Sequence, residues 1–386
     1  MNQESVVKDI PAVYMRGGTS KAVFFLESDL PRRAADRDAL LLRVMGSPDP
    51  YQCQTDGMGG ASSSTSNVVL IGSSFRDDCD VDYLFGRVSV ADSLIDYSGN
   101  CGHLTAAVAP FAIHAGLVEP IEPVTPVRLW QRNLGQRIDA FVPVRDGRVL
   151  ESGAFTENGV PFGTAEIRLE YFGAGPGSAA APMLPTGHVT DVLKVPGFDP
   201  LTVTLVTSGN PTVFVRAEEI GLTGRELPDA FNARLAKIGT GLERVRAHAA
   251  VAMGLAETPE IATHERPATP LLSWVAAPKT YRTSSGREVP ATSIDLLARI
   301  MSMGRLQDDF TGTGSVALAV AAALPGSVVN QVARALPGVP TRIGYVSGTL
   351  TAGAELTQHH GRWVLDKALM SRSARRLMSG IVHLPD

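Results

Sequence analysis

The residue of this chain best placed for proton chemistry is Cys101, in the run Ser98-Gly99-Asn100-Cys101-Gly102-His103. A glycine-bearing turn here opens into Leu104-Thr105-Ala106-Ala107-Val108, small and apolar on every side. A helix starting at this point puts the thiol in its first turn. The partial positive charge of that end favours a thiolate and makes the group a competent proton donor or acceptor near neutral pH. Cys53 and Cys79 have no such setting and read as small hydrophobes, Cys79 in the acidic lead-in to a strand.

Three glycine- and hydroxyl-rich segments could hold a ligand beside that thiol. They are Met15-Arg16-Gly17-Gly18-Thr19-Ser20-Lys21, Gly57-Met58-Gly59-Gly60-Ala61-Ser62-Ser63-Ser64-Thr65-Ser66, and Thr207-Ser208-Gly209-Asn210-Pro211. Helix N-termini expose unpaired N–H groups, and glycine lets a carboxylate or phosphate approach them closely. Two such ends facing each other would take a compact ligand with a carboxylate at each end. The same glycines also serve simple sheet-to-helix turns, and both readings stay open for each turn alone.

The elements that must position these residues show internal repetition. Gly99-Asn100-Cys101-Gly102 with its helix superposes on Thr311-Gly312-Thr313-Gly314 with the run Ser315-Val316-Ala317-Leu318 at an offset of 212, which sets Thr313 opposite Cys101. A helix apolar all round must be enclosed, and in a strand-rich chain a curved sheet encloses it. The expected fold is therefore α+β, with two pseudo-symmetric lobes, each a curved, mainly antiparallel sheet or barrel wrapped around a central apolar helix. The Gly/Pro-rich stretch 172–187 reads as a flexible boundary, giving lobes 1–187 and 188–386, with the last strand crossing back to the first lobe. Strands are expected at 11–14, 22–25, 68–71, 81–90, 127–129, 138–144, 201–206, 212–215 and 271–275. Helices are expected at 33–45, 229–253, 294–301 and 314–324.

Composition removes other classes. The chain has 386 residues, enough for two cores, and its 35 Lys and Arg against 39 Asp and Glu leave a net charge of −4, with no basic field for nucleic acid or an anionic membrane. Charged residues make up only 19%, beside 38 glycines and 26 prolines, so the chain reads as ordered and turn-rich. Three scattered cysteines suit a reducing cytosol and build neither a disulfide framework nor a metal site. No signal peptide or membrane span is read, and the expected location is cytoplasmic. No Gly-x-Gly-x-x-Gly unit or phosphate-loop lysine occurs, so nucleotide cofactors are set aside. His359-His360 reads as an exposed turn, and Asp77, Asp78, Asp80 and Asp82 as a solvated loop and strand edge.

Together with Gly46-Ser47-Pro48-Asp49-Pro50, Asp80-Val81-Asp82-Tyr83-Leu84-Phe85, Leu184-Pro185-Thr186-Gly187 and Met301-Ser302-Met303-Gly304, these motifs resemble the PrpF family. That family includes 2-methylaconitate cis-trans isomerase, 4-oxalomesaconate tautomerase and methylitaconate delta-isomerase. The resemblance runs in order along nearly the whole chain. It implies the diaminopimelate-epimerase-like fold and proton transfer along an allylic system of a small unsaturated di- or tricarboxylate, without cofactor or metal. It also implies two acid/base residues: the cysteine of Asn-Cys-Gly, present as Cys101, and a lysine after the Ser-Ser-Thr-Ser run, where this chain has Asn67. His103 stands where the family commonly has asparagine, and Leu306-Gln307-Asp308-Asp309 where relatives tend to carry histidine.

The expected catalytic set is Cys101 with Asn67 as a polarising group and Lys21 or His103 as stand-ins for the lysine. Arg16, Gly18, Thr19, Ser20, Ser64, Ser66, Asn100, Gly102, Asn210, Met303, Thr313, Gly314 and Ser315 are expected to hold carboxylates. The expected partner is the polycarboxylate itself, with a homodimer as the assembly. Two other readings are a same-fold enzyme with a diverged reaction, such as decarboxylation or rearrangement, and a non-catalytic polycarboxylate-binding protein.

Overall fold

The computed structural model describes residues 8–97, 99–173, 182–308, 310, 312–334 and 338–384. They form two units, one of residues up to Leu169 with Arg372 onward, the other Glu170–Ser371. The division falls at Leu169/Glu170 rather than at 187. Residues 174–181, inside the stretch expected to be a flexible boundary, lie outside the described residues.

In the first unit, β1 (Lys8–Gly17) and β2 (Ser20–Leu26) form an antiparallel hairpin. After α1 (Ala34–Met45), β3 (Asn67–Ser73) runs parallel to β2 and antiparallel to β4 (Val81–Val88). The short β5 (Ile95–Asp96) precedes α2 (Gly102–His114), and β6 (Val124–Gln131) then returns parallel to β4. Next come β7 (Gln136–Arg145), antiparallel to β6, β8 (Arg148–Val149), and β9 (Ile167–Phe172), which carries the chain past the division. The C-terminal strand Ala374–Leu384 pairs antiparallel with β1.

The second unit repeats this order. Beyond β10 (Asp191–Leu193), β11 (Leu201–Val206) and β12 (Thr212–Arg216) form the first antiparallel pair. Helices α3 (Pro228–Asn232), α4 (Leu235–Ala252) and α5 (Pro259–Glu265) lead to β13 (Leu271–Ala276), parallel to β12. The small hairpin of β14 (Tyr281–Arg282) and β15 (Glu288–Val289) precedes β16 (Leu296–Ser302), which is antiparallel to β13. After β17 (Arg305–Leu306), α6 (Gly312–Ala323) and α7 (Val328–Val332), β18 (Thr341–Gly344) runs parallel to β16. It is antiparallel to β19 (Thr349–His359), which pairs with β20 (Arg362–Arg372). Each unit thus sets three antiparallel pairs side by side through two parallel contacts, with the apolar helix entering after the fourth of these six strands.

The core follows from composition. Every residue from Leu104 to Ile113 in α2 and from Gly312 to Ala322 in α6 is buried. Helix α2 touches β1, β2, β6, β7, β8 and the C-terminal strand, with Phe111 against Phe24 at 5.7 Å between ring centres. Full burial of side chains such as Leu104, Val108 and Phe111 contributes about 1.5–3 kcal/mol each. The other face of β1, β2 and β3 packs Ile10, Val23, Phe25 and Val68 against Leu41 and Met45 of α1.

Three local expectations need correction. Residues 294–301, read as a helix, fall largely in β16. Its residues Leu296–Met301 are all buried, because it lies between β13 and β18 with both faces covered. A short apolar run without alternation does not distinguish a doubly covered strand from a buried helix. The helix expected over 229–253 is two, α3 and α4. Cys53 is exposed, whereas Cys79 is buried, and burial pushes its thiol pKa up. The acidic run is a set of surface pairs, Asp78 with Arg76 and Asp80 with Arg128, and Asp82 accepts from Ser74 Oγ.

Candidate active site

The tip of the β1–β2 hairpin lies on the start of α2. Gly17 pairs with Ser20, so Gly18 and Thr19 make the two-residue turn. A Cβ on Gly17 would stand 2.4 Å from the His103 carbonyl oxygen and 2.9 Å from Leu104 Cα. Gly18 has φ +50°, and a Cβ there would stand 2.2 Å from His103 Nδ1. Only glycine permits that approach, and it brings the hairpin's polar groups onto the helix end.

Cys101 is the N-cap of α2, with extended backbone, and no side chain caps that end. The first-turn N–H groups therefore lack a side-chain acceptor. Cys101 Sγ lies 3.8 Å from Ser20 Oγ, and the thiol is half-buried. Asn100 is buried and its Nδ2 donates to Thr105 Oγ1 at 3.2 Å. Thr105 Oγ1 also bonds Tyr83 OH at 3.0 Å and the Cys101 carbonyl at 3.1 Å. This cluster fixes the backbone on both sides of the thiol, so Asn100 acts by holding the helix start.

Of the expected catalytic residues, two are brought to the turn and two are not. Cys101 meets Ser20, and the His103 ring packs on Gly18. Lys21 follows Ser20, so its side chain leaves the opposite face of β2, and its Nζ lies 5.6 Å from the centre of the Tyr14 ring. Asn67 is almost fully buried, and Nδ2 donates to the Lys21 and Ser63 carbonyls, each at 3.3 Å. Both amide N–H groups are thereby used, and Oδ1, buried without a partner, can only accept. A carboxylate or enolate needs a donor, so the polarising role expected for Asn67 does not fit this geometry. The amide clips β2 to the 62–66 loop instead.

That loop is tied to itself. Buried Gln54 donates to Ser47 Oγ (2.9 Å) and Ser66 Oγ (2.7 Å) and accepts from the Ala61 N–H. A Cβ on Gly57, Gly59 or Gly60 would strike Gly46, Gln54 or Thr65 within 2.5 Å. These glycines serve close packing, and Ser66, donating to the Val88 carbonyl, has its hydroxyl fully engaged. Ser64 Oγ lies 3.1 Å from Ser62 Oγ while its carbonyl accepts the Lys21 N–H. Gln54 had no sequence signal, because its partners lie in three separate turns.

Arg16 braces the turn: Nη1 donates to the Gly18 carbonyl (2.8 Å) and to Ser373 Oγ (2.9 Å). Burial lowers the Arg16 pKa from its usual value, opposed by the nearby Glu157 charge. Its Nη2 is buried without a partner, a donor that a carboxylate or a water would satisfy.

In the second unit, Gly209 has φ +74°, and a Cβ there would lie 2.3 Å from the Thr313 carbonyl oxygen. This contact matches that of Gly17 with the His103 carbonyl, and α2 and α6 begin at Gly102 and Gly312. The repeat therefore runs at an offset of 210, and Thr313 corresponds to His103. The sequence of Thr311-Gly312-Thr313-Gly314 contains two Thr-Gly pairs, and the helix starts at the first. Thr311, opposite Cys101 in this register, lies outside the described residues, as does Asp309. Thr313, Gly314 and Ser315 are buried, Asn210 is half-buried beside Gly209, and Met303, with φ +49°, is an exposed hairpin tip.

Sheet-enclosed helices entered beneath glycine turns make a diaminopimelate-epimerase-like fold. A solved hydroxyproline epimerase shares the fold, with a TM-score of 0.54 at 15% identity over 100% of this chain and 95% of that one. More particularly, the chain belongs to the PrpF protein family, whose pattern matches residues 7–385. It is 48% identical to the 2-methyl-aconitate isomerases of Shewanella oneidensis and Cupriavidus necator, over 97% of this chain and of each relative. A solved methylitaconate-delta-isomerase is 38% identical, with a TM-score of 0.87 over 99% of this chain and 97% of that one.

Proposed function

We propose that this PrpF-family isomerase moves a proton along the allylic system of a small unsaturated di- or tricarboxylate, 2-methylaconitate first among the candidates, with Cys101 as a proton carrier. The observation that carries the reading is the Cys101 thiol at the uncapped start of α2, against the glycine hairpin at Ser20. The 48% identity to 2-methyl-aconitate isomerases supports the substrate class.

In the step proposed, the Cys101 thiolate takes a proton from the carbon next to the double bond. The C–H electron pair spreads through the double bond into a carboxylate. First-turn N–H groups of α2 stabilise that growing charge, and donors already in place need no reorganisation, while Arg16 and the Thr19 region of the hairpin hold a carboxylate whose charge stays constant. A proton returns to the far end of the allylic system. His103, whose ring packs on Gly18, carries the second transfer. Lys21 and Asn67 have no part in it, and no cofactor is needed. The proposed setting is the cytosol, and no helix among the described residues is long and apolar enough to cross a membrane.

The test follows solvent deuterium entering 2-methylaconitate, aconitate, oxalomesaconate and methylitaconate by proton NMR. Exchange is expected in at least one acid and is expected to vanish in Cys101→Ser. Exchange surviving unchanged in that variant refutes the assigned carrier, and evolved carbon dioxide points to a decarboxylase instead.

A further inference from the structure

The hairpin over Cys101 is held by residues from the far end of the chain. Ser373 is fully buried, and all its polar atoms are engaged. Its carbonyl accepts the Gly18 N–H at 2.8 Å, and its Oγ accepts from Arg16 Nη1 at 2.9 Å. Its own N–H and O–H donate to Glu157 Oε2 at 3.0 and 2.7 Å. The Glu157 side chain is only 7% exposed, and its other oxygen lies 3.5 Å from Arg372 Nε.

These bonds have a fixed direction. Because the Ser373 hydroxyl proton points at Glu157, its lone pairs face Arg16. The guanidinium is thereby oriented to hold the Gly18 carbonyl. With the Gly18 N–H fixed by Ser373 as well, the peptide planes on both sides of Gly18 are set. Those planes set the course of the chain into Ser20, whose Oγ lies 3.8 Å from the Cys101 thiol. A buried carboxylate must be paired and hydrogen-bonded to remain charged, and here its partners are the two residues that open the returning C-terminal segment.

We propose that Glu157 and Ser373 are positioning residues for the reaction: without touching the substrate, they set the Gly18–Thr19 peptide, whose Thr19 N–H holds a substrate carboxylate. This rests on reading the hairpin as the carboxylate-holding element. Carboxylate charge is present before and during proton transfer, so loosening the hairpin removes binding common to both states and raises KM more than it lowers kcat.

The experiment combines steady-state isomerisation with peptide-resolved iodoacetamide labelling of Cys101, using aconitate as protecting ligand and exposed Cys53 as internal reference. Ser373→Ala and Glu157→Ala are expected to raise KM, and the aconitate concentration giving half-protection, tenfold or more. Glu157→Gln, which still accepts from Ser373, is expected to stay within threefold of wild type. A merely structural role would lower the melting temperature and leave KM and half-protection unchanged, and that result overturns the proposal. Should the wild type neither turn over any candidate acid nor be protected, the functional reading fails. The positioning claim is then read from ligand-free labelling: a fivefold change in the Cys101-to-Cys53 rate ratio in Ser373→Ala upholds it, and an unchanged ratio overturns it.

Discussion

Adding one methyl group at Gly17 tests the placement of the hairpin on the helix. Gly17 has no left-handed backbone, so Gly17→Ala introduces no conformational strain and acts through contact alone. The new Cβ would stand 2.4 Å from the His103 carbonyl oxygen, where ordinary contact begins at 3.4 Å. Hairpin and helix start must separate by about 1 Å, and a shift of that size near reacting groups costs roughly 100-fold in rate. Both atoms struck are backbone, so no side chain can swing aside. Overpacking of this kind destabilises by about 1–3 kcal/mol, or roughly 2–4 °C in melting temperature for each kcal/mol in a unit of this size. Deuterium exchange by proton NMR measures the first effect and circular-dichroism melting the second. Gly380→Ala, where nothing lies within 4 Å of the added Cβ, is the matched control. Wild-type exchange in Gly17→Ala, with the melting temperature also unchanged, would refute the close approach and the site built on it.

Other substitutions separate structural from chemical roles. Asn67→Ala leaves the Lys21 and Ser63 carbonyls unpartnered and is expected to cost about 1–3 kcal/mol in urea unfolding, with a smaller effect on turnover than Cys101→Ser; loss of turnover at wild-type stability would restore a chemical role. Burial raises the Glu226 pKa, but bonds from Trp274 Nε1 and from the N–H and hydroxyl of Thr223 outweigh it, so the pKa lies below its usual 4.5. Its stabilisation is therefore complete above about pH 4.5 and is lost as pH falls through the lower folded-state value. Melting temperatures from pH 3 to 7 should show an acid limb that is shallower in Glu226→Gln. Arg246 is 1% exposed and bonds Glu243 and the carbonyls of Ala262, Arg266 and Thr269. Arg246→Met strands the acceptors around it and is expected to cost about 3–5 kcal/mol, measured by the same unfolding.

Much of the fold was legible because its signals are local or repetitive. Two runs apolar on all sides had to be enclosed helices, and the strands near them follow from short β-branched runs between turns. The helix read at 294–301 failed because β16 is covered on both faces, which erases the alternation that marks a strand. The repeat was visible, but its register was not: Thr-Gly occurs twice in succession, and only the contact of Gly209 with the Thr313 carbonyl selects the offset of 210. Within the site, Cys101 and the two glycines over it were legible from type and position, since a helix start and a close turn each have local signatures.

The sequence by itself determined that a thiol stands at the start of a buried helix, that a glycine hairpin accompanies it, and that the chain resembles the PrpF family. Tertiary structure alone decided which neighbours share that site. Strand alternation turns Lys21 toward Tyr14, two backbone carbonyls occupy both N–H groups of Asn67, and Ser373 reaches Arg16 across 357 positions of chain. The physical reason is the same in each case. A residue's type gives the bonds it can make, but which of them remain for a substrate depends on partners that only the packed chain brings within about 3 Å.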